Sequence, residues 1–338
     1  MKLCKALPLR RRQGALEMGM DMNHALILAG GLGQRLWPIS RKQSATKEGV
    51  DIHSQTMLEL TISRVSQWVP RQRIWVVSSR SIETYGCRLI KEPFRKNTAA
   101  AIAWGLAQIL HTDKEAFVGI FPVDHLISPW EQVTVALEKA KRAGTITALG
   151  IKQSKEEASK QYGYIKMEEG LELGKVVDFA EKPTRPEEYI EAGYLVNSGI
   201  YAAPARKLLL EIGRFLPSHF AAARARDVAA FARLRPISID KGVMEKTDRL
   251  FAYPMKVLWE DIGTWKNYLK YAGEKGSFVK FNSDSSLVYS EGDLVVLSGV
   301  QDTVVVVKDG IVFVMHKDAE KDMGKVLEEV RRSYPGFA

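Results

Sequence analysis

A short apolar run, Ala25 to Ala29, empties into a glycine-rich turn, Gly30-Gly31-Leu32-Gly33, and this junction constrains the fold more than any other stretch of the chain. Five consecutive apolar residues bounded by glycine read as a buried strand. Gly30, Gly31 and Gly33 leave backbone N–H groups unobstructed, so the turn can wrap closely around an anionic group. Arg35 follows with a fixed positive charge suited to bidentate phosphate contact. The turn is not a dinucleotide fingerprint, because Leu36 stands where a third glycine is required. Nor is it a P-loop, because no Gly-Lys-Ser/Thr follows.

The rest of the chain alternates in the manner such a strand–turn unit demands. Ile74 to Ser78, Phe117 to Phe121 and Thr145 to Ile151 read as strands, with helices at Thr98 to Leu110 and Trp130 to Ala143. This pattern predicts a mainly parallel, three-layer α/β domain over residues 23–273, with ligands at the strand ends. After about Lys275 the texture changes to short β runs: Leu287 to Tyr289, Leu294 to Leu297, Thr303 to Val307 and Ile311 to Met315. They predict a small β module over 274–338, built as rungs of a β-helix and closed by an amphipathic helix, Ala319 to Arg332.

Composition sets the outer limits. The 338 residues are 46% hydrophobic and 26% charged, ordinary for a globular protein, and no apolar stretch reaches membrane-spanning length. The net charge of +9 would permit nucleic-acid binding, but no helix concentrates basic residues with interleaved aromatics. Neither nucleic acid nor membrane is therefore an expected partner; small anionic substrates account for part of the excess. Residues 1–22 carry Lys2, Lys5, Arg10, Arg11 and Arg12 without a hydrophobic segment, so they read as a disordered extension rather than a secretory signal. Cys4 and Cys87 are the only cysteines, which argues against a disulfide framework and for a reducing cytoplasm.

Several polar constellations follow the strands. Asp124, after Phe121-Pro-Val, sits at a sheet's carboxyl edge, where a hard oxygen ligand can hold Mg²⁺ or simply cap a helix or turn. Asp261 in Trp259-Glu-Asp-Ile-Gly-Thr-Trp265 offers a second metal ligand from a distant loop, or a solvated turn. Lys182 can neutralise a sugar phosphate beside Glu181, whose carboxylate accepts from sugar hydroxyls, or the two form a weak surface ion pair. Asn197 is suited to vicinal hydroxyls, and Gly163 lets backbone approach a ring. Glu92, Asn97 and Thr98 precede a helix, where they face a purine base or act as an N-cap.

Taken in order, these segments resemble the mannose-1-phosphate guanylyltransferases, the GDP-mannose pyrophosphorylases of single-function type within the nucleotide-sugar pyrophosphorylase family. The likeness runs from about Ala25 onward. It is carried by L-A-G-G-x-G-x-R-x-W-P-x-S (Leu28 to Ser40), E-P-x-x-K-N-T-A (Glu92 to Ala99), P-x-D-H (Pro122 to His125) and Y-G-Y-I (Tyr162 to Ile165). F-x-E-K-P (Phe179 to Pro183), N-S-G (Asn197 to Gly199), S-I-D-x-x-V-M-E-K (Ser238 to Lys246) and W-x-D-I-G-x-W (Trp259 to Trp265) complete it. Glucose-1-phosphate relatives share the glycine turn and E-K-P; the last two long motifs are considerably more specific to the mannose branch.

The resemblance implies a Rossmann-like, GT-A-like nucleotidyltransferase domain and a small C-terminal left-handed β-helix, often used to form a homodimer. It implies GTP and mannose 1-phosphate as substrates and Mg²⁺ on Asp124 and Asp261. The nucleotide would meet Leu28, Ala29, Gly30, Gly31, Gly33, Arg35, Glu92, Asn97, Thr98 and Asp124, and the sugar phosphate Gly163, Glu181, Lys182, Asn197 and Asp261. Arg35, Lys47 and Lys182 would be the catalytic cations. Two departures stand out. The family's P-K-Q-F lysine is matched only by Lys47 with a one-residue shift, Lys42 competing, and S-I-D-Y-A-V becomes Ser-Ile-Asp-Lys241-Gly242-Val. They keep open another sugar 1-phosphate or nucleotide, or a non-catalytic nucleotide-sugar-binding relative.

Overall fold

The apolar run before the glycine turn forms β1 (Asn23–Leu28), and its alternating side chains face two different cores. These and the following observations come from a computed structural model that describes residues 22–31, 33–41, 51–52 and 55–337. The N-terminal extension with Cys4, and the competing lysines Lys42 and Lys47, lie outside the described residues.

After β1 the chain makes a small hairpin, β2 (Asp51–Ile52) and β3 (Gln55–Thr56), then α1 (Met57–Val65), β4 (Ile74–Ser78) and β5 (Arg88–Lys91). Next come α2 (Thr98–Thr112), β6 (Phe117–Pro122), β7 (His125–Ser128), α3 (Glu131–Ala143) and β8 (Ile146–Ile151). A hairpin of β9 (Gly163–Met167) and β10 (Gly174–Glu181), α4 (Pro186–Glu191) and β11 (Leu195–Pro204) follow. Helices α5 (Ala205–Phe215), α6 (Pro217–Ala225) and α7 (Val228–Ala232) precede β12 (Leu250–Met255), β13 (Leu258–Asp261) and α8 (Trp265–Ala272). The remainder is β14 (Lys275–Phe281), β15 (Leu287–Ser298), β16 (Thr303–Lys308), β17 (Ile311–His316) and α9 (Met323–Ser333).

The main sheet has nine strands in the order β5-β4-β1-β6-β11-β8-β12-β10-β9. The half holding β5, β4, β1 and β6 is parallel, as the βαβ alternation predicts. The other half is mixed, because β11 runs antiparallel to both β6 and β8. The first residues of β11 also pair with β9, so one strand joins the parallel half to the β9–β10 hairpin. Three layers result: Leu26 packs with the apolar face of α2 and α5, while Ala25 and Ile27 pack with α1 and α3.

The C-terminal unit is a four-stranded mixed sheet, β14-β15-β16-β17, where the sequence predicts rungs of a left-handed β-helix. Parallel stacking does occur: Ser277 stands beside Leu294 and Leu287 beside Val304, an offset of 17 residues in both pairings. The runs expected at 287–289 and 294–297 are one continuous strand, β15. The last pairing, β16 with β17, is an antiparallel hairpin. Its two-residue loop is Asp309-Gly310, both at positive φ (51° and 74°), the geometry that favours a hairpin over another coil.

A third core ties this unit to the main domain. Leu36, Trp37 and Ile39, just past the glycine turn, pack with Ile262, Trp265 and Leu269 and with Tyr289, Val304, Phe313 and Met315 of the C-terminal sheet. The Trp265 indole, fully buried, donates to the Trp37 carbonyl (2.9 Å). The chain closes onto the same place: Trp37 Nε1 donates to the Phe337 carbonyl (3.1 Å) and Arg41 to that of Gly336 (2.8 Å). Among the described residues no helix is long and apolar enough to cross a membrane.

At the far end of β1, His24 is buried between Trp75 and Asp113. The indole donates to Nδ1 (3.1 Å), which puts the imidazole proton on Nε2, 3.1 Å from the Asp113 carboxylate. Burial lowers the His24 pKa despite that carboxylate. A neutral native histidine supports the fold above its unfolded value of about 6.5, and the support is lost as pH falls, because the unfolded chain binds the proton more readily. The drop in thermal midpoint between pH 7.5 and 5.5 should therefore be smaller in His24→Gln than in the parent; an equal drop would mean His24 titrates alike in both states.

Candidate active site

The carboxyl ends of β1 and β6 open onto a cavity of about 350 Å³. It is lined by Leu28, Gly30, Gly31, Glu92, Asn97, Thr98, Asp124, Gly163, Glu181, Lys182, Asn197 and Asp261, so most of the residues singled out by sequence come together. Three of those among the described residues do not line it. Ala29 is buried behind the turn with its N–H on the Val77 carbonyl (2.9 Å). Gly33, at φ 61°, starts the short helical turn Gln34–Leu36, and its carbonyl accepts from the Ser40 hydroxyl (2.7 Å). Arg35 projects from that turn to within 3.6 Å of the Asp261 carboxylate.

Two distant acidic segments meet through strand register. In the antiparallel β7–β13 pair, Asp261 stands opposite His125, and the Ile262 N–H donates to the Asp124 carbonyl (2.8 Å). Ligand atoms of Asp124, His125 and Asp261 consequently lie within 4.8 Å of one another. The histidine differs from the carboxylates in what it offers. The Trp259 indole donates to its Nδ1 (3.3 Å), so the neutral ring carries its proton on Nε2 and acts as a donor. The two aspartates are left as a hard oxygen pair that fits a divalent cation. Arg35 approaches Asp261 beside Gly263, where a Cβ would lie 2.8 Å from both the guanidinium and the Asp261 carboxylate.

On the other side of the glycine turn sits Glu92, only 3% exposed. Its carboxylate takes a long hydrogen bond from the Lys96 N–H (3.4 Å) and lies 3.3 Å from where a Cβ on Gly30 would be. Burial pushes its pKa up to about 7, against the opposing pull of Arg95 and the Lys96 N–H. The neighbouring polar side chains are engaged locally. Asn97 caps α2 by accepting from the Thr98 N–H (2.7 Å), and the Thr98 hydroxyl accepts from the Ile239 N–H (2.9 Å). Of this trio Glu92 is the group with acceptor capacity turned to the cavity.

The opposite end of the cavity holds Glu181, Asn197 and two residues that the sequence did not single out, Tyr201 and Asp240. Gly163 makes room there, since a Cβ would lie 2.7 Å from the Glu181 carboxylate. Lys182, at φ 59°, reaches back to Glu181 (3.5 Å) and stays half exposed at the mouth. Burial raises the Glu181 pKa, and the Asp240 charge adds to the effect. Asp240 and His125 lay inside recognised motifs, S-I-D and P-x-D-H, and could have been read from them. Tyr201 carried no such signal: it is a fully buried aromatic on a strand.

Known proteins are similar to this chain in sequence and fold. The family model "Nucleotidyl transferase" matches residues 24–276. The alginate biosynthesis protein AlgA of Pseudomonas putida is 29% identical, over 91% of this chain and 72% of its own length. Mannose-1-phosphate guanylyltransferase of Escherichia coli is 28% identical, over 93% of this chain and 74% of its own. A crystal structure named as mannose-1-phosphate geranyltransferase from Thermus thermophilus superposes with a TM-score of 0.81 at 30% identity, covering 92% of this chain and 99% of that one. On the match over three quarters of its length, the chain belongs to the nucleotidyl transferase family, among the relatives named for mannose 1-phosphate.

Proposed function

We propose that the chain transfers GMP from GTP to α-D-mannose 1-phosphate, releasing pyrophosphate and GDP-mannose. The observation that carries this reading is the Asp124–Asp261 pair, brought by strand register to the mouth of the glycine turn in one cavity with Lys182. A sugar-phosphate oxygen attacks the α-phosphorus in line; the new P–O bond forms as the bond to the β-phosphate oxygen breaks and pyrophosphate takes the electron pair. The task is to hold two polyanions together, so positioning and charge neutralisation suffice without a covalent nucleophile.

Roles follow from chemistry. The Gly30 and Gly31 amides and Arg35 receive the triphosphate, with Lys47 as the further cation that the sequence motif offers. Lys182 neutralises the acceptor phosphate. His125, as an Nε2 donor, serves a phosphate oxygen beside the aspartates. Asp124 and Asp261 would hold Mg²⁺, which would supply charge neutralisation for the phosphates. Glu92 favours guanine over adenine, because the guanine N1–H and 2-amino groups are donors and a carboxylate is a pure acceptor.

Two measurements check this. Purified protein given GTP, mannose 1-phosphate and Mg²⁺ should release pyrophosphate, stop on addition of chelator and resume with excess metal. Asp124→Asn and Asp261→Asn should each lower turnover by roughly two orders of magnitude. Absence of pyrophosphate with every nucleoside triphosphate and sugar 1-phosphate pair would sink the reading; turnover with another pair would reassign the substrate.

The second measurement is the pH dependence of GTP use. Protonating Glu92 removes its charge and turns one of its two acceptor oxygens into a donor, so KM for GTP should rise as pH falls through about 7, the value to which burial pushes this carboxyl. Glu92→Gln should weaken GTP use at alkaline pH and flatten the acid limb. An acid limb unchanged in that variant would assign it to another group.

A further inference from the structure

The sugar end of the cavity is organised by a hydrogen-bond set that leaves little of Asn197 for a ligand. Its amide Nδ2 donates to the Tyr201 hydroxyl (3.0 Å) and to Asp240 Oδ1 (2.9 Å), which uses both amide hydrogens. Its Oδ1 accepts from the Gly199 N–H (3.1 Å). The Tyr201 hydroxyl in turn donates to Asp240 Oδ1 at 2.5 Å. One carboxylate oxygen of Asp240 therefore takes two strong donors, and among the described residues no hydrogen bond reaches the other, Oδ2.

Resting on the reading above, we propose that Asp240 is the acceptor that recognises the hydroxyls of the sugar 1-phosphate, with Tyr201 and Asn197 as its positioning residues. The chemistry of the pocket supports this. Asp240 lines the cavity beside Glu181, and two carboxylates side by side repel a phosphate while accepting from neutral hydroxyl donors. The anionic end of the ligand is then directed to Lys182 and the polyol end to the carboxylates.

The fixation is firm. Tyr201 is buried, and its hydroxyl is held between the Asn197 amide and Asp240 Oδ1. Asp240 itself begins the π-helical turn Asp240–Met244. The same turn leads to Glu245, whose carboxylate accepts from the Glu181 N–H (2.8 Å). One element thus sets both carboxylates of the pocket. Short π-helical turns recur at functional sites because they re-aim a side chain that a regular helix would misplace.

The test compares the parent chain with Asp240→Asn and Tyr201→Phe, using the sugar 1-phosphate that the parent turns over best. Asp240→Asn presents an amide donor where an acceptor stood. It should raise KM for the sugar 1-phosphate about ten- to a hundredfold, with KM for the nucleoside triphosphate within about twofold. Tyr201→Phe frees Asp240 to turn and should raise the same KM by about three- to tenfold with a smaller effect on kcat. A 2-deoxy sugar 1-phosphate should lose to the natural sugar with the parent, and the gap should shrink in Asp240→Asn. An unchanged sugar KM in Asp240→Asn, or in Tyr201→Phe should the first variant fail to fold, overturns the proposal. A parent that prefers a sugar other than mannose overturns the substrate reading alone, because Asp240 is then judged on that sugar; a parent with no turnover overturns both.

Discussion

The position of Arg35 relative to Asp261 depends on side chains that touch no ligand. Leu36 and Trp37 follow the arginine, Ile262 and Trp265 follow the aspartate, and all four are buried in one core. The Trp265 indole locks the two segments by donating to the Trp37 carbonyl. A glycine turn alone would leave its arginine free to swing. Here the 3.6 Å approach of Arg35 to Asp261 is set by burial of its neighbours, and the C-terminal sheet contributes to that burial. The sheet therefore backs the two segments that carry Arg35 and Asp261, although none of its residues lines the cavity.

The cavity separates its charges by task. Arg35 and the paired aspartates occupy the end beside the glycine turn, where phosphates and a cation would meet. Glu181 and Asp240 occupy the far end, with Lys182 half exposed beside Glu181. A ligand with a phosphate at one end and hydroxyls at the other has a single favourable orientation in such a field. The order of the strands produces this separation, because the glycine turn and Asp124 come from the parallel half of the sheet and Glu181 and Asn197 from the mixed half.

What could be read from the sequence divides along the same physical line. Local signals served well: buried apolar runs located β1, β4, β6 and β8, and residues at the carboxyl ends of β1, β4 and β6 do line the cavity. Long-range pairing was opaque. Nothing in Val196-Asn-Ser-Gly-Ile-Tyr201 says that the Asn197 amide is occupied by a tyrosine and an aspartate, because the aspartate arrives from a turn over forty residues away. The antiparallel insertion of β11 was hidden for the same reason, since an apolar strand reads alike in either direction. The final hairpin was within reach: Asp309-Gly310 between Val-rich runs is a strong two-residue turn signal, and a β-helix reading passed over it.

The contact that closes the chain onto Trp37 and Arg41 has an evolutionary corollary. The indole and guanidinium hold main-chain carbonyls of Gly336 and Phe337, groups that every residue type possesses. Only the stacking of Arg41 near the Phe337 ring, 5.7 Å from its centroid, reads a side chain. Sequence at the receiving end can thus drift with little penalty while the docking persists, and selection falls on the two donors near the glycine turn. Residue identity at positions 336 and 337 alone does not register this contact, which joins Trp37 to a carbonyl 300 residues away.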